Sequence, residues 1–347
     1  MMFDKDLFGD TLQPEKHGSI LAVEWDYPPF SVLNAREGWW QERKRAWLSM
    51  GIRSELGRGE GDSACSGGSP MPGIGPSKDY KPGEGKYGRT FGQDLMRGEG
   101  AEKYRDASGE PIDPEGAAAG TSIFDPTLTE LCYRWFCPPG GRIVDPFAGG
   151  SVRGVVASVL GYSYEGCELR DGQVAANIQQ LDICREPMPT WVCDDSANIA
   201  SHFTPGADFL FSCPPYADLE IYSDDPRDLS QMDYCEFLRS YRGIIAASCG
   251  LLANDRFACF VVGDVRDKKG NYRNFVGDTV EAFRAAGLHY YNEAILVTSV
   301  GSLPIRVGKQ FKSGRKLGKT HQNILVFVKG CGKAAAKAIN CGLAHAG

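Results

Sequence analysis

Three short stretches carry the residues best suited to chemistry. "DFLFSCPPYADLE", Asp208 to Glu220, runs an apolar strand into Ser212 and Cys213, then Pro214, Pro215 and Tyr216. "DPFAGG", Asp145 to Gly150, ends a second apolar strand in an acid and two glycines, and "YEGCEL" closes a third with Glu168. Asp195, after "WVCD", is a further acid at a strand end. In an open α/β sheet, ligands settle beyond the carboxyl ends of the strands, near the point where strand order reverses. Acids and glycines at those ends are therefore candidate ligand contacts. Gly149 and Gly150 let the backbone approach a ligand closely, and Glu168, about twenty residues further on, can accept from both hydroxyls of a ribose.

The glycine loop spells neither GxGxxG nor GxxxxGK[ST], and it has no lysine to meet phosphates. An acid in such a loop repels pyrophosphate and suits a cationic ligand, of which the amino group and sulfonium of S-adenosylmethionine are an example. At the other loop, Pro214 and Pro215 fix φ and hold their carbonyls outward with no N–H to compete, beside the aromatic face of Tyr216.

The elements that must position these residues show a regular texture from Thr121 onward. "DPTLTELCYRWFC" is a helix with Asp125 as N-cap and Pro126 in the first turn. Strands "GRIVDPFAG", "YSYEGCEL", "TWVCDD", "DFLFSCPPY", "RFACFVVGDVR", "YYNEAILVTSV" and "QNILVFVK" follow, with helices between most of them. Alternation of strand and helix predicts an α/β domain over 121–330 with a mostly parallel sheet. The last two strands are read without a helix between them, which predicts an antiparallel pair at the sheet edge. Residues 1–55 read as an accessory segment whose "REGWWQERKRAWLSMGIRSELG" is a helix with one apolar and one basic side, the tryptophans facing a core or, as the alternative, contacting DNA bases. Residues 56–120 are rich in Gly, Pro and Ser and read as a flexible or substrate-contacting region, and 331–347 as a frayed tail.

Composition narrows the compartment and the partners. The chain of 347 residues is 42% hydrophobic, enough for a sizeable core, and shows neither a signal peptide nor an apolar run of membrane-spanning length, which predicts a soluble cytoplasmic protein. Its twelve cysteines are irregularly spaced without a CxxC pair, so they read as reduced thiols with no metal site. The net charge of -6 argues against a protein coated in positive charge. One segment differs: Arg306, Lys309, Lys312, Arg315, Lys316 and Lys319 stand together without an acid, read as a basic loop able to follow a phosphate backbone, with Arg266, Lys268, Lys269 and Arg273 able to join it.

Taken together, "FDP" (Phe124 to Pro126), "DPFAGG", "CPPY" and the final "NILVFVK" resemble the DNA amino-methyltransferases, which methylate adenine N6 or cytosine N4 with S-adenosylmethionine. The resemblance spans about Ser122 to Lys329. It implies a Rossmann-like methyltransferase fold in which Phe124, Asp125, Asp145, Pro146, Phe147, Ala148 and Gly149 surround the methionine end of the cofactor. It further implies that Glu168 holds the ribose, that Asp195 lies near the adenine, and that Ser212, Cys213, Pro214, Pro215 and Tyr216 form the catalytic loop. The implied partner is double-stranded DNA, the family setting a bacterial or phage modification enzyme, with or without a cognate restriction nuclease. The chain departs from the family in one place, since Cys213 stands where Asp, Asn or Ser is usual. A thiol is a weak acceptor, which leaves the Pro214 carbonyl or Ser212 to share the work. An RNA or protein methyltransferase, or a non-catalytic nucleic-acid-binding scaffold, are the alternatives the same residues permit. A covalent role for Cys213 lacks the Pro-Cys setting it would need.

Overall fold

The computed structural model of the chain describes residues 20–53, 124–216, 223–300 and 303–345. The Gly/Pro-rich stretch 56–120 lies outside the described residues. In chain order the first elements are helix α1 (Ile20–Trp25), strand β1 (Val32–Asn34) and helix α2 (Gly38–Ser49). Alternation then begins with α3 (Pro126–Phe136), β2 (Arg142–Asp145), α4 (Val152–Val159), β3 (Ser163–Glu168), α5 (Asp171–Ile178), β4 (Thr190–Cys193), the short α6 (Ile199–His202) and β5 (Ala207–Ser212). It continues with α7 (Tyr234–Leu251), β6 (Leu252–Val262), α8 (Phe275–Ala285), β7 (His289–Val297), α9 (Leu303–Gly314), β8 (His321–Lys329) and α10 (Gly332–His345). Helix α3 starts as its sequence predicts: Asp125 accepts from the backbone N–H groups of Thr127 and Leu128, with Pro126 in the first turn.

The strands form one sheet in the order β1-β7-β8-β6-β5-β2-β3-β4. Neighbours run parallel except where β8 pairs with β6 and β7. The chain leaves β2 toward β3 and β4 on one side, then returns to β5 and β6 on the other. Strand order therefore reverses between β2 and β5, and this is a Rossmann-like α/β fold with its crevice at their carboxyl ends. Side chains alternate cleanly along the central strands. Phe209 and Phe211 of β5 join one core with Ile143, Tyr133 and Trp47, whereas Leu210 joins another with Val144, Tyr241 and Phe260. Helices α2, α3 and α4 cover the first face, and α7 and α8 the second.

Three expectations change. The antiparallel pairing of the last strands is present, but β8 lies inside the sheet, and β1 extends the edge by pairing parallel to β7 from Val32 opposite Ile295 to Asn34 opposite Val297. The described part of 1–55 is no separate unit but joins the main core, its tryptophans inward as the sequence predicts. Trp40 and Trp47 are fully buried, and the Trp47 indole donates to Glu130, a carboxylate also held by Arg43 and Arg134. Burial alone would raise the Glu130 pKa; the Arg43 hydrogen bond, both guanidinium charges and the indole together hold it below its ordinary value. Finally, the expected frayed tail is helix α10, which buries Ala335 and Ile339. Among the described residues the cysteines are free, with Cys132, Cys137, Cys167, Cys249 and Cys259 buried and Cys193 and Cys235 exposed. No helix among them is long and apolar enough to cross a membrane.

Candidate active site at the carboxyl ends of β2 and β5

Strands β2 and β5 are direct neighbours, Ile143 facing Phe209 and Val144 facing Leu210, so their last residues emerge side by side. Those residues are Asp145 and Ser212, and the Ser212 hydroxyl donates to Asp145 Oδ1 at 2.5 Å. Asp145 is fully buried and saturated. It also accepts from Arg153 Nε at 2.5 Å, the Tyr164 hydroxyl at 2.7 Å and the Phe147 amide at 3.1 Å. Arg153, from the first turn of α4, donates from its Nη2 to the carbonyls of both Phe147 and Ala148. Burial works against the charge on Arg153, but Asp145 raises its pKa further still.

This arrangement corrects two sequence expectations. Asp145 does not offer a bare negative charge to a cationic ligand, because its carboxylate faces inward and is neutralised by Arg153. Ser212 is also fully buried, its hydroxyl committed to Asp145 and within 3.2 Å of the Phe147 amide. It cannot stand in for Cys213 as an acceptor at the pocket. Both residues shape the loops, and the buried Pro146 and Ala148 do the same. Ser196 strengthens the frame by donating to the Pro146 carbonyl.

What remains open above these loops is backbone and two acids, Glu168 and Asp195. Gly149 has φ +51°, and a Cβ there would meet nothing nearer than the Phe147 oxygen at 4.0 Å, so the space over it is free. Its carbonyl is fixed by Asn177 at 2.7 Å and its amide by Glu168 Oε2 at 2.9 Å. The second Glu168 oxygen accepts from the Arg170 amide at 3.0 Å. Burial raises the Glu168 pKa, a tendency that these two backbone donors and Arg170 oppose. Asp195 caps a turn through the Ala197 amide at 2.9 Å, which leaves its other oxygen available. Neighbouring Asp194 is instead engaged by His202 at 2.7 Å, which lowers its pKa. Phe124 lies under the Arg153 guanidinium at 4.6 Å and edge-on to Phe211, beside the buried cluster. Asp125 is taken up by its cap, by the Trp40 indole and by Lys44 at 3.2 Å.

The Pro-Pro loop closes the other side. Pro214 is buried, while Cys213, Pro215 and Tyr216 are half-buried. Tyr216 is held at two points: its oxygen accepts from Gln322 Nε2 at 3.0 Å, and its ring meets Phe275 edge-on with centroids 6.3 Å apart. Lys319 enters the same region, donating to the Asp264 carbonyl at 3.2 Å. A Cβ on Gly263 would sit 2.4 Å from its ammonium and 3.9 Å from Tyr216 Cε1, so the glycine makes room for the lysine beside the ring. Burial pulls the Lys319 pKa down to about 8.

The basic segment thus divides. Residues 303–314 form helix α9 instead of a loop, with Lys309, Lys312 and Arg315 exposed and Lys316 half-buried, while Lys319 belongs to the pocket. The side chain of Arg306 lies outside what is described. Sequence reasoning missed Arg153, Tyr164, Gln322 and Gly263. Only Arg153, eight residues after Asp145 in an otherwise apolar helix, carried a visible signal.

No family model and no curated protein matches the chain. Among solved structures it is similar to TrmN from Thermus thermophilus, at 13% identity and TM-score 0.38 over 59% of this chain and 49% of that one. It is also similar to a TehB-like SAM-dependent methyltransferase from Corynebacterium glutamicum, at 16% identity and TM-score 0.37 over 62% and 92% of the two chains. A candidate DNA modification methylase, also of Thermus thermophilus, aligns at 19% identity and TM-score 0.29 over 40% of this chain and 51% of that one. The chain spans about half the length of the first and third of these. Similarity at this level says nothing of substrate, and the chemistry has to come from the residues.

Proposed function

We propose that this chain is an S-adenosylmethionine-dependent methyltransferase that modifies the exocyclic amine of a DNA base, cytosine N4 or adenine N6, turned out of the duplex. The observation that carries the reading is the bond between the two motifs. Ser212, 67 positions from Asp145, ties the Cys-Pro-Pro-Tyr loop to the glycine loop, so an acceptor and a methyl donor would share one crevice. The residues fit the donor: open space over Gly149, and a Glu168 carboxylate with lone pairs left for two ribose hydroxyls.

When bound, S-adenosylmethionine supplies an electrophilic methyl group on its sulfonium. The chain supplies the acceptor's geometry. An exocyclic amine is a poor nucleophile because its lone pair is delocalised into the ring. Accepting its hydrogens on the Pro214 carbonyl, with Cys213 beside it, draws the nitrogen toward tetrahedral geometry and frees that pair. Tyr216, anchored by Gln322 and Phe275, gives the base a face to stack on. Such stacking contributes about 1 to 3 kcal/mol against an extrusion cost of a few kcal/mol.

The test is to incubate the chain with mixed-sequence DNA and methyl-deuterated S-adenosylmethionine, digest to nucleosides and identify the label by mass spectrometry. Labelled N4-methylcytosine or N6-methyladenine is the expected product. Label confined to RNA or to protein in parallel incubations would replace DNA as substrate, and no cofactor binding would leave a non-catalytic scaffold.

A further inference from the structure

We propose that the groove between the Val265–Arg273 hairpin and the end of α9 holds the phosphodiester backbone of the DNA strand whose base enters the pocket at Tyr216. The inference rests on the proposed function and adds to it where the strand runs. The groove encloses about 600 Å³ and is lined by Arg266, Lys269, Arg315 and Lys316 with polar residues such as Asn271 and Gln310; no apolar side chain lines it. Small-molecule sites are lined mainly by apolar and aromatic groups, so this lining suits a polyanion. It also runs against the composition, since the whole chain carries a net charge of -6. Among the described residues the salt bridges use other cations.

Two exposed rings flank the groove, each beside one of its cations. Arg266 and Tyr272 face each other across the hairpin, and the guanidinium lies 3.9 Å above the ring while donating to the Gly270 carbonyl at 2.8 Å. The acid in this turn, Asp267, spends its carboxylate on the Asn271 amide at 2.8 Å. Across the groove Arg315 lies over Phe311 at 5.1 Å. Tyr272 and Phe311 are 49% and 42% exposed, so each presents a ring backed by a cation, the combination on which unpaired bases stack. From Lys316 the chain runs without regular structure to Lys319, at most about 11 Å along a fully extended backbone. The same short segment therefore carries both a groove cation, Lys316, and the lysine that lies beside Tyr216.

The experiment measures binding of the full chain to a fluorescein-labelled mixed-sequence duplex by anisotropy, from about 0.05 to 0.2 M salt. Lys269→Glu/Lys316→Glu is expected to weaken binding at least about ten-fold and to reduce the salt slope by about 2. Lys333→Glu/Lys337→Glu makes the same charge change on α10, after the opposite end of β8, and is expected to leave both nearly unchanged. Equal losses in the two variants, or none in the first, would overturn the groove. Tighter binding to RNA of the same sequence would overturn DNA as its occupant. Cofactor affinity and methyl transfer are followed in the same preparations. Binding through the groove without methyl transfer would sink the proposed function and leave the groove, whereas methyl transfer with an undiminished double variant would do the reverse.

Discussion

Removing the Arg153 guanidinium should damage this protein more than any change at the pocket surface. The Arg153 and Asp145 side chains are 5% and 0% exposed, and Arg153→Met leaves the Asp145 carboxylate buried without its counter-ion. Breaking one side of such a pair costs about 3 to 5 kcal/mol, which for a chain of this size lowers Tm by roughly 4 to 7 °C. Asp145→Asn/Arg153→Met removes both charges. Asn Oδ1 can still accept from Ser212 and from the Phe147 amide, and its amide can donate to Tyr164, so most of the stability should return. A double-mutant cycle by urea unfolding should thus give a coupling of about 2 to 3 kcal/mol. Because Asp145 faces inward, the double variant should also keep S-adenosylmethionine affinity within a few-fold by titration calorimetry. Additive effects with Arg153→Met costing under about 1 kcal/mol would refute the buried pair. Loss of cofactor binding in a stable double variant would restore Asp145 as a ligand contact.

Three other outcomes are expected. Glu168→Gln places an amide against the backbone donors Gly149 or Arg170 and removes a charged acceptor, so cofactor affinity should fall about 10- to 150-fold, equivalent to 1.5 to 3 kcal/mol; a change under about three-fold would put the ribose elsewhere. Tyr216→Ala should lower kcat/KM for methyl transfer to DNA about 5- to 150-fold, while Tyr216→Phe, which keeps the ring and loses only the Gln322 bond, should lose far less. Lys319 has a folded pKa of about 8 against an ordinary 10.5, so the unfolded chain binds the extra proton between those values and stability from this group rises with pH across that window. The stability of Lys319→Met relative to the native chain should accordingly fall as pH goes from about 8 to 10.5, measured by denaturant unfolding, and a pH-independent difference would show that Lys319 titrates normally.

The fold was legible where local pattern and tertiary structure agree. The Asp125-Pro126 start of α3, the buried strands and the helices between β2 and β7 all follow from rules that act within a few residues. The candidate site loops were legible as positions at strand ends, but the orientation of their side chains was not. Whether Asp145 or Ser212 points to solvent depends on Arg153 and Tyr164 arriving from other elements, and no local rule reports that. Helix α9 was hidden by Gly308 and Gly314, although Leu303, Val307 and Phe311 recur at four-residue spacing and Gly318 packs against Leu303. Strand β1 has three residues and pairs with a partner more than 260 positions away, beyond the reach of any periodicity.

That small strand decides where the protein can be cut. A truncation beginning at residue 121 would keep the loops after β2 and β5 and look like a sensible minimal domain. It would also strip β7 of its partner, baring a row of unpaired amides and carbonyls of the kind that recruits other chains. The same cut would take away Trp40, Trp47 and Arg43, stranding Glu130 in an opened core with only Arg134 beside it. Such a fragment should emerge as aggregate, so library screens and crystallisation trials are better served by keeping 20–53 and 124–345 on one polypeptide.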